Sequence, residues 1–495
     1  MTPATGFQHW AVAFVVCNFN VDVGPEVEIV YPPGVAFSPS DLSAICFNSF
    51  PEQQNTETGG DLAFNFTIPN NSPDIGLRSP HAPYGSRDTF YAACIFRQEF
   101  DHTMKRSFNQ RTLVLVTHHN FLCFYARLLQ QMTGSGQISD PNTLEAAHSQ
   151  MLSWQPPALG RQELPFMGSV LTMDVAPHFA FPLQGLAGPT PLVSDKPSYI
   201  YAYEPLGSWD TIMYFMPCIS DLYVLFEKLV LCESIVVVAK SPQLASEAVS
   251  SLVDLVRPIP FAGVVKPYMT MQADFRCVGV DGGAPRPFII GITNPFLLKR
   301  IISAVELNHR TRPHILYLQN FDSVPAKRHH SVHHKSTHNA LLDLPGGGIE
   351  ARTPSKRFVK SDHAVVSRIE SLLKAGDQTH ELGPLIRRHF AELTAQFLAP
   401  INRYLATTNA PSPGGKQHYA SFSMPDFMHD LSKHGTSIKP RGQGPLLKHR
   451  IRDGMYESFC RSANFYSWLD MKISLEKEAS AGMLGVGGTS ATADS

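Results

Sequence analysis

The sequence predicts an α/β protein: an N-terminal α/β sandwich lobe, a second α/β lobe and a helical C-terminal part. Three observations predict it. Up to Met132, short apolar or alternating runs follow the order ββαβββα; from Ser220, helix and strand signals alternate; beyond residue 361, apolar residues recur at helical spacing.

Residues 9–19 are apolar at both parities, as in a strand covered on both faces, and Glu26–Tyr31 alternates polar and apolar. With the turn residues 22–25 between them, they predict an opening hairpin. Ser38-Pro39-Ser40-Asp41 carries a capping hydroxyl, a proline suited to the first helical turn and an acid, so a short helix to about Phe47 follows. Strands are expected at 62–68, 90–98 and 111–117, and a helix at 121–132 with Leu122, Tyr125, Leu128 and Leu129 on one stripe.

Residues 134–160 and 182–198 are rich in Gly, Pro and Ser, with a strand-like run at 164–175 between them, and read as an insertion and a linker. The second lobe then reads helix 221–232, strand 235–239, helix 242–256, strands 264–271 and 288–293, and a helix from 295, an alternation that implies βαβ units. Residues 323–360, with seven Lys/Arg, two acids and five His, interrupt the pattern. Helices are expected at 382–407, 424–434 and 445–459, and the small residues from Ala479 predict a disordered tail.

In 495 residues, 41 Lys and Arg balance 42 Asp and Glu, which argues against a bulk nucleic-acid binder. The apolar run 10–17 is too short to cross a bilayer and lacks preceding basic residues, so a soluble cytosolic protein is expected. The eight cysteines are scattered and lie mostly in apolar runs, reading as buried thiols rather than disulfides or metal ligands. No phosphate-binding GxxxxGK[ST], HExxH, GxSxG or kinase motif set occurs.

Five histidines at 329, 330, 333, 334 and 338 form a metal-like cluster, but the absent apolar periodicity and flanking Pro325 and Pro345 favour a solvated basic loop. Protonation of such a loop near pH 6 would strengthen contact with acidic lipid. Lys439, Arg441, Lys448, Arg450 and Arg452 read as the wet side of a helix or as a docking face. His118 and His119, at a strand-to-helix turn, read as satisfied polar groups; Asp221, Glu227, Lys228 and Glu233 read as the wet edge of a core helix. Thr293-Asn294-Pro295-Phe296 ends a buried strand, with Asn294 either a helix cap or part of a partner-facing edge.

The stretches GPEVEIVYP (24–32), FNSFP (47–51), LPFMGSV (164–170), DLYVLFEKLVLCESIVVVA (221–239), PFIIGITNPF (287–296), IRRHFAELTAQFLAPINRYL (386–405) and YESFCRSANFYSW (456–468) resemble, in this order, the tripartite DENN-domain proteins. The similarity runs from about residue 9 to 470 and is greatest to the recycling-endosome subgroup. It implies a longin-like uDENN lobe over 9–178, a linker at 179–199, a central cDENN lobe over 200–322, a His-rich basic loop at 323–360, a helical dDENN part over 361–475 and a tail at 476–495.

The resemblance further implies guanine nucleotide exchange on a Rab-family small GTPase held between the lobes, without covalent chemistry, cofactor or metal. The protein would be cytoplasmic, recruited peripherally to endosomal or recycling membranes; a GTPase-binding adaptor without exchange activity is the alternative. Trp209, Tyr214, Thr293, Asn294 and Phe296 are the expected partner-facing residues, each with core packing or capping as its alternative reading.

Overall fold

A computed structural model describes residues 6–52, 60–72, 88–103, 108–134, 138–175, 199–216, 218–279, 284–308, 310–318, 358–376, 381–408 and 422–486, with side chains to 474. The His-rich cluster at 329–338 lies outside these residues.

The chain opens with helix α1 (Gly6–Trp10), then the hairpin β1 (Ala13–Asn20) and β2 (Gly24–Tyr31), helix α2 (Pro39–Ser49), strands β3 (Gly60–Pro69), β4 (Thr89–Phe100) and β5 (Phe108–Thr117), and helix α3 (Leu122–Thr133). The strands form an antiparallel sheet in the order β2-β1-β5-β4-β3. Ser38 caps α2 by accepting from the Asp41 amide at 3.1 Å. Alternation divides the sheet residues between two cores. Phe14, Val16, Ala93, Ile95, Leu113 and Leu115 pack with α1 and α3, whereas Val15, Cys17, Cys94, Phe96 and Val114 pack with α2 on the other face.

Where residues 9 and 10 were expected in the first strand, they end α1: Trp10 is buried and its Nε1 donates to Gln155 O at 2.9 Å. The Gly/Pro/Ser insertion contains a full helix, α4 (Pro141–Leu152), capped by Asp140, which accepts from the amides of Asn142 and Thr143. The run 164–175 lies in a hairpin of β6 (Gly160–Phe166) and β7 (Ser169–Val175). Its two-residue turn holds Met167 at φ 48° and Gly168 at φ 79°, the double left-handed geometry that matches strand twist. Strand β8 (Tyr199–Tyr201) pairs parallel with β7, and Ile200 and Ala202 join the first core, so packing extends the first lobe beyond 200, where the sequence expectation begins the second.

Helices α5 (Trp209–Phe215) and α6 (Asp221–Val230) lead into a parallel sheet of β9 (Ile235–Ala239), β10 (Val264–Lys266), β11 (Phe288–Ile292) and β12 (His314–Leu318), in the order β10-β11-β9-β12. Helix α7 (Pro242–Asp254) covers one face and α8 (Pro295–Leu307) the other. The expected strand 264–271 stops at Lys266 because Pro267 has no amide for the ladder. Pro267 O lies 2.1 Å from where a Cβ on residue 291 would sit, so only glycine fits there.

Helices α9 (His363–Ala375), α10 (Leu382–Thr408), α11 (Met424–His434), α12 (Pro445–Cys460) and α13 (Ala463–Val486) complete the chain. Helix α13 crosses half of the stretch expected to be disordered: Leu, Met, Glu, Lys and Ala between 471 and 484 are strong helix formers and need no burial to favour it. No helix among the described residues is long and apolar enough to cross a membrane.

Glu227, read as part of the wet edge of a core helix, is internal, and His119 is the satisfied polar group that its position at a strand-to-helix turn suggests. Glu227 is 3% exposed, and its Oε1 accepts from the amides of Phe358 and Val359 at 2.9 and 2.7 Å, fastening the approach to α9 onto α6. Glu227→Ala leaves both amides without that acceptor and is expected to cost about 2–4 kcal/mol, against less for Glu227→Gln, measured as the shift in urea midpoint. His119 is buried, stacks on Phe121 and lies 2.7 Å from His9 O through Nε2. Burial, the largest cause, lowers its pKa from 6.5 to about 4. The neutral ring is therefore favoured by folding, and its contribution, present above pH 6.5, is lost as pH falls towards 4. Up to about 3 kcal/mol of acid-side loss is expected, with a shallower pH slope of unfolding in His119→Gln.

Candidate functional site at the lobe junction

In the parallel sheet the chain leaves β9 towards β10 and leaves β11 in the opposite direction, towards β12, on opposite faces. This reversal opens a crevice at the carboxyl ends of β9 and β11, the usual binding position in such sheets. Two residues beyond the Val238–Ile292 pair, Lys240 and Asn294 leave the sheet side by side.

The first lobe closes one side of this crevice. After α2, Pro51 ends the apolar run and Glu52 enters the second lobe: its amide donates to Tyr268 Oη at 2.9 Å, its carbonyl accepts from Thr293 Oγ1 at 2.8 Å, its Oε1 accepts from the Met271 amide at 2.8 Å, and its Oε2 accepts from Asn294 Nδ2 at 3.2 Å. Tyr268 is buried against Phe64 of β3, its ring centroid 5.3 Å away, and burial raises its pKa. Thr67 Oγ1 of β3 donates to Val265 O at 2.7 Å, and α7 lies along β3, covering what would be an open sheet edge.

Asn294 caps α8 through its side-chain oxygen, which accepts from the Phe296 amide at 2.9 Å, while its Nδ2 serves Glu52. Thr293 and Asn294 are half-buried within this junction. Phe296, in the first turn of α8, is 58% exposed.

On the other side, α5 is capped by Ser208 and packs against α7 and α10. Trp209 is 1% exposed in the common core, and so is not part of a partner-facing surface. Tyr214 is 67% exposed, and its neighbour Phe215 holds Lys240 Nζ 4.2 Å above the ring. The junction rim therefore presents Tyr214, Lys240 and Phe296, with Thr293 and Asn294 beneath.

No three His, Cys, Asp or Glu residues among those described are placed to hold a metal ion. The arrangement offers exposed rings, a cation and a braced backbone edge, which suit contact with a macromolecule. Sequence reasoning missed Glu52, Tyr268 and Lys240. Glu52 directly follows the quoted FNSFP stretch, but its partners lie more than 200 positions away.

No family model matches the chain. It is 27% identical over 493 residues to protein DENND6A of Gallus gallus, covering 94% of this chain and 80% of the relative. The chain is similar to DENND6 proteins. Identity to DENND6B of Homo sapiens is 27% over 492 residues, covering 94% and 79%, and to the DENND6 homolog of Dictyostelium discoideum 23% over 538 residues, covering 94% and 70%. Its relatives are thus DENN-domain proteins matched along nearly the whole chain.

Glu52→Ala removes acceptors for the Met271 amide and Asn294 while sparing the backbone bonds, and is expected to destabilise by about 1–3 kcal/mol. Hydrogen exchange should accelerate at Met271 and little in the β6–β7 hairpin, which packs in the other core, a contrast that mass spectrometry can measure.

Proposed function

We propose that this protein is a guanine nucleotide exchange factor for a Rab-family small GTPase, acting in endosomal or vesicular trafficking. The observation that carries the reading is the likeness to DENND6 proteins over 94% of the chain. The exposed aromatic rim where the two lobes meet supports it.

Such a factor makes and breaks no covalent bond. It binds the GTPase more tightly when the nucleotide site is empty, and linkage then requires that the nucleotide be held less tightly on the complex. Accelerating GDP release ~10³-fold needs a ~4 kcal/mol lower barrier. Switch segments, ordered by phosphate and Mg²⁺, can provide this difference if the factor grips them in another arrangement.

Tyr214 and Phe296 have the character expected of anchors: aromatic, exposed and carried on helices braced by the second lobe. Thr293 and Asn294 act beneath them, fixing the start of α8. Recruitment to recycling membranes belongs to the same reading.

Release of a fluorescent GDP analogue from a panel of Rab proteins tests it. One or more members should lose nucleotide at least about tenfold faster with catalytic amounts of the protein. Tyr214→Ala and Phe296→Ala should each lower that rate about tenfold with unchanged melting, equivalent to about 1.4 kcal/mol of lost transition-state contact. Binding without acceleration across the panel would instead identify an adaptor.

A further inference from the structure

The sequence contains no Asp or Glu between 431 and 452, but six Lys or Arg: 433, 439, 441, 448, 450 and 452. Arg452 is turned inward and pairs with Asp453. Lys439 and Arg441 directly precede α12 and Lys448 and Arg450 lie in its first two turns, where every residue from 441 to 450 is exposed. Leu446 is 87% exposed, while Leu447 at 46% lies over Gly442, whose Cβ position would be 3.0 Å from Leu447 Cγ. The 441–444 loop thus folds beneath Leu447 and leaves Leu446 projecting from the first turn of a 16-residue helix.

A short bridge fixes this tip to the chain entering α9. Val359 pairs with Pro440, the Lys360 amide donates to Lys439 O at 2.9 Å, and the Arg441 amide donates to Phe358 O at 2.7 Å. Exposed Lys360 is thereby placed beside Lys439 and Arg441. The positive end of the helix adds to the same field.

We propose that the tip of α12 docks the protein on an anionic lipid bilayer, with Leu446 and Leu447 entering the headgroup region and Lys360, Lys439, Arg441, Lys448 and Arg450 facing acidic headgroups. Two features favour a bilayer over an acidic protein. The apolar element is a projection and not a groove, so a protein partner would have to supply a matching pocket, whereas a headgroup layer makes no demand on shape. The cations from 439 to 450 flank the leucines with no acid between them in the sequence, matching the negative potential of an anionic leaflet, to which each basic residue close to the surface adds attraction. This surface shares no residue with the lobe junction.

The test is flotation of the full chain with vesicles of phosphatidylcholine alone or with phosphatidylserine at cytoplasmic-leaflet levels. Expected are at least about tenfold stronger partitioning to the anionic vesicles and weakening by high salt. Leu446→Ser with Leu447→Ser should lower this binding several-fold, and Lys448→Glu with Arg450→Glu should remove the preference for phosphatidylserine; all four positions are exposed, so melting should be unchanged. Equal partitioning to both vesicle types would overturn the proposal. So would undiminished anionic binding by the charge-reversal variant, or binding that resists both pairs of substitutions and disappears on deletion of 327–338.

Discussion

The structure depends on a constraint at one short loop: the backbone and carboxylate of Glu52 must satisfy polar groups at the ends of strands contributed more than 200 residues later. The contacts to Tyr268, Met271, Thr293 and Asn294 leave neither lobe a smooth apolar face to slide on. Apolar burial provides most of the attraction between α7 and β3, but it is tolerant of direction. Hydrogen bonds are not, because a displacement of about an ångström takes a donor out of reach of its acceptor.

The same device holds the helical part. Glu227 accepts from Phe358 and Val359. Tyr223 Oη accepts from the Asp362 amide at 2.9 Å and lies 2.7 Å from His389 Nε2, while buried Asn464 accepts from the Ala262 amide and donates to Leu229 O. Each joins segments distant in sequence, and each lies in or beside a stretch that carries the DENN resemblance. The motifs are legible as apolar periodicity, yet what distinguishes them physically is the few polar residues that satisfy another segment's backbone.

Local signals therefore account for most elements and little of the site. Ser38-Pro39, Ser241-Pro242 and Asn294-Pro295 each combine a capping side chain with a proline at the first helical position, and all three helices start there. Asp140-Pro141 carried the same signal, outweighed by the surrounding Gly and Ser. Glu227 looked like the wet edge of a helix because periodicity describes which face is buried and is silent about a carboxylate drawn inward by another segment's amides. Exposure was no more legible: Trp209 and Tyr214 lie five positions apart in one helix, yet one is in the core and the other on the rim. Their difference is set by α7 and α10, which pack on that helix from 30 to 200 residues away.

The braced junction bears on exchange through energy transmission. Under the proposed reading, the factor's entire contribution is the difference between its affinity for a vacant and for a loaded partner. If its own lobes yielded when the loaded partner bound, it would adapt to both forms and that difference would shrink, because deformation lets a surface fit two shapes at intermediate strength. A rigid rim presents one shape, so the cost of mismatch falls on the partner's switch segments. Bracing Thr293 and Asn294 from the first lobe, with Phe296 left exposed in the first turn of α8, is the arrangement this requirement favours: polar groups used for stiffness beneath, aromatic surface kept for contact above.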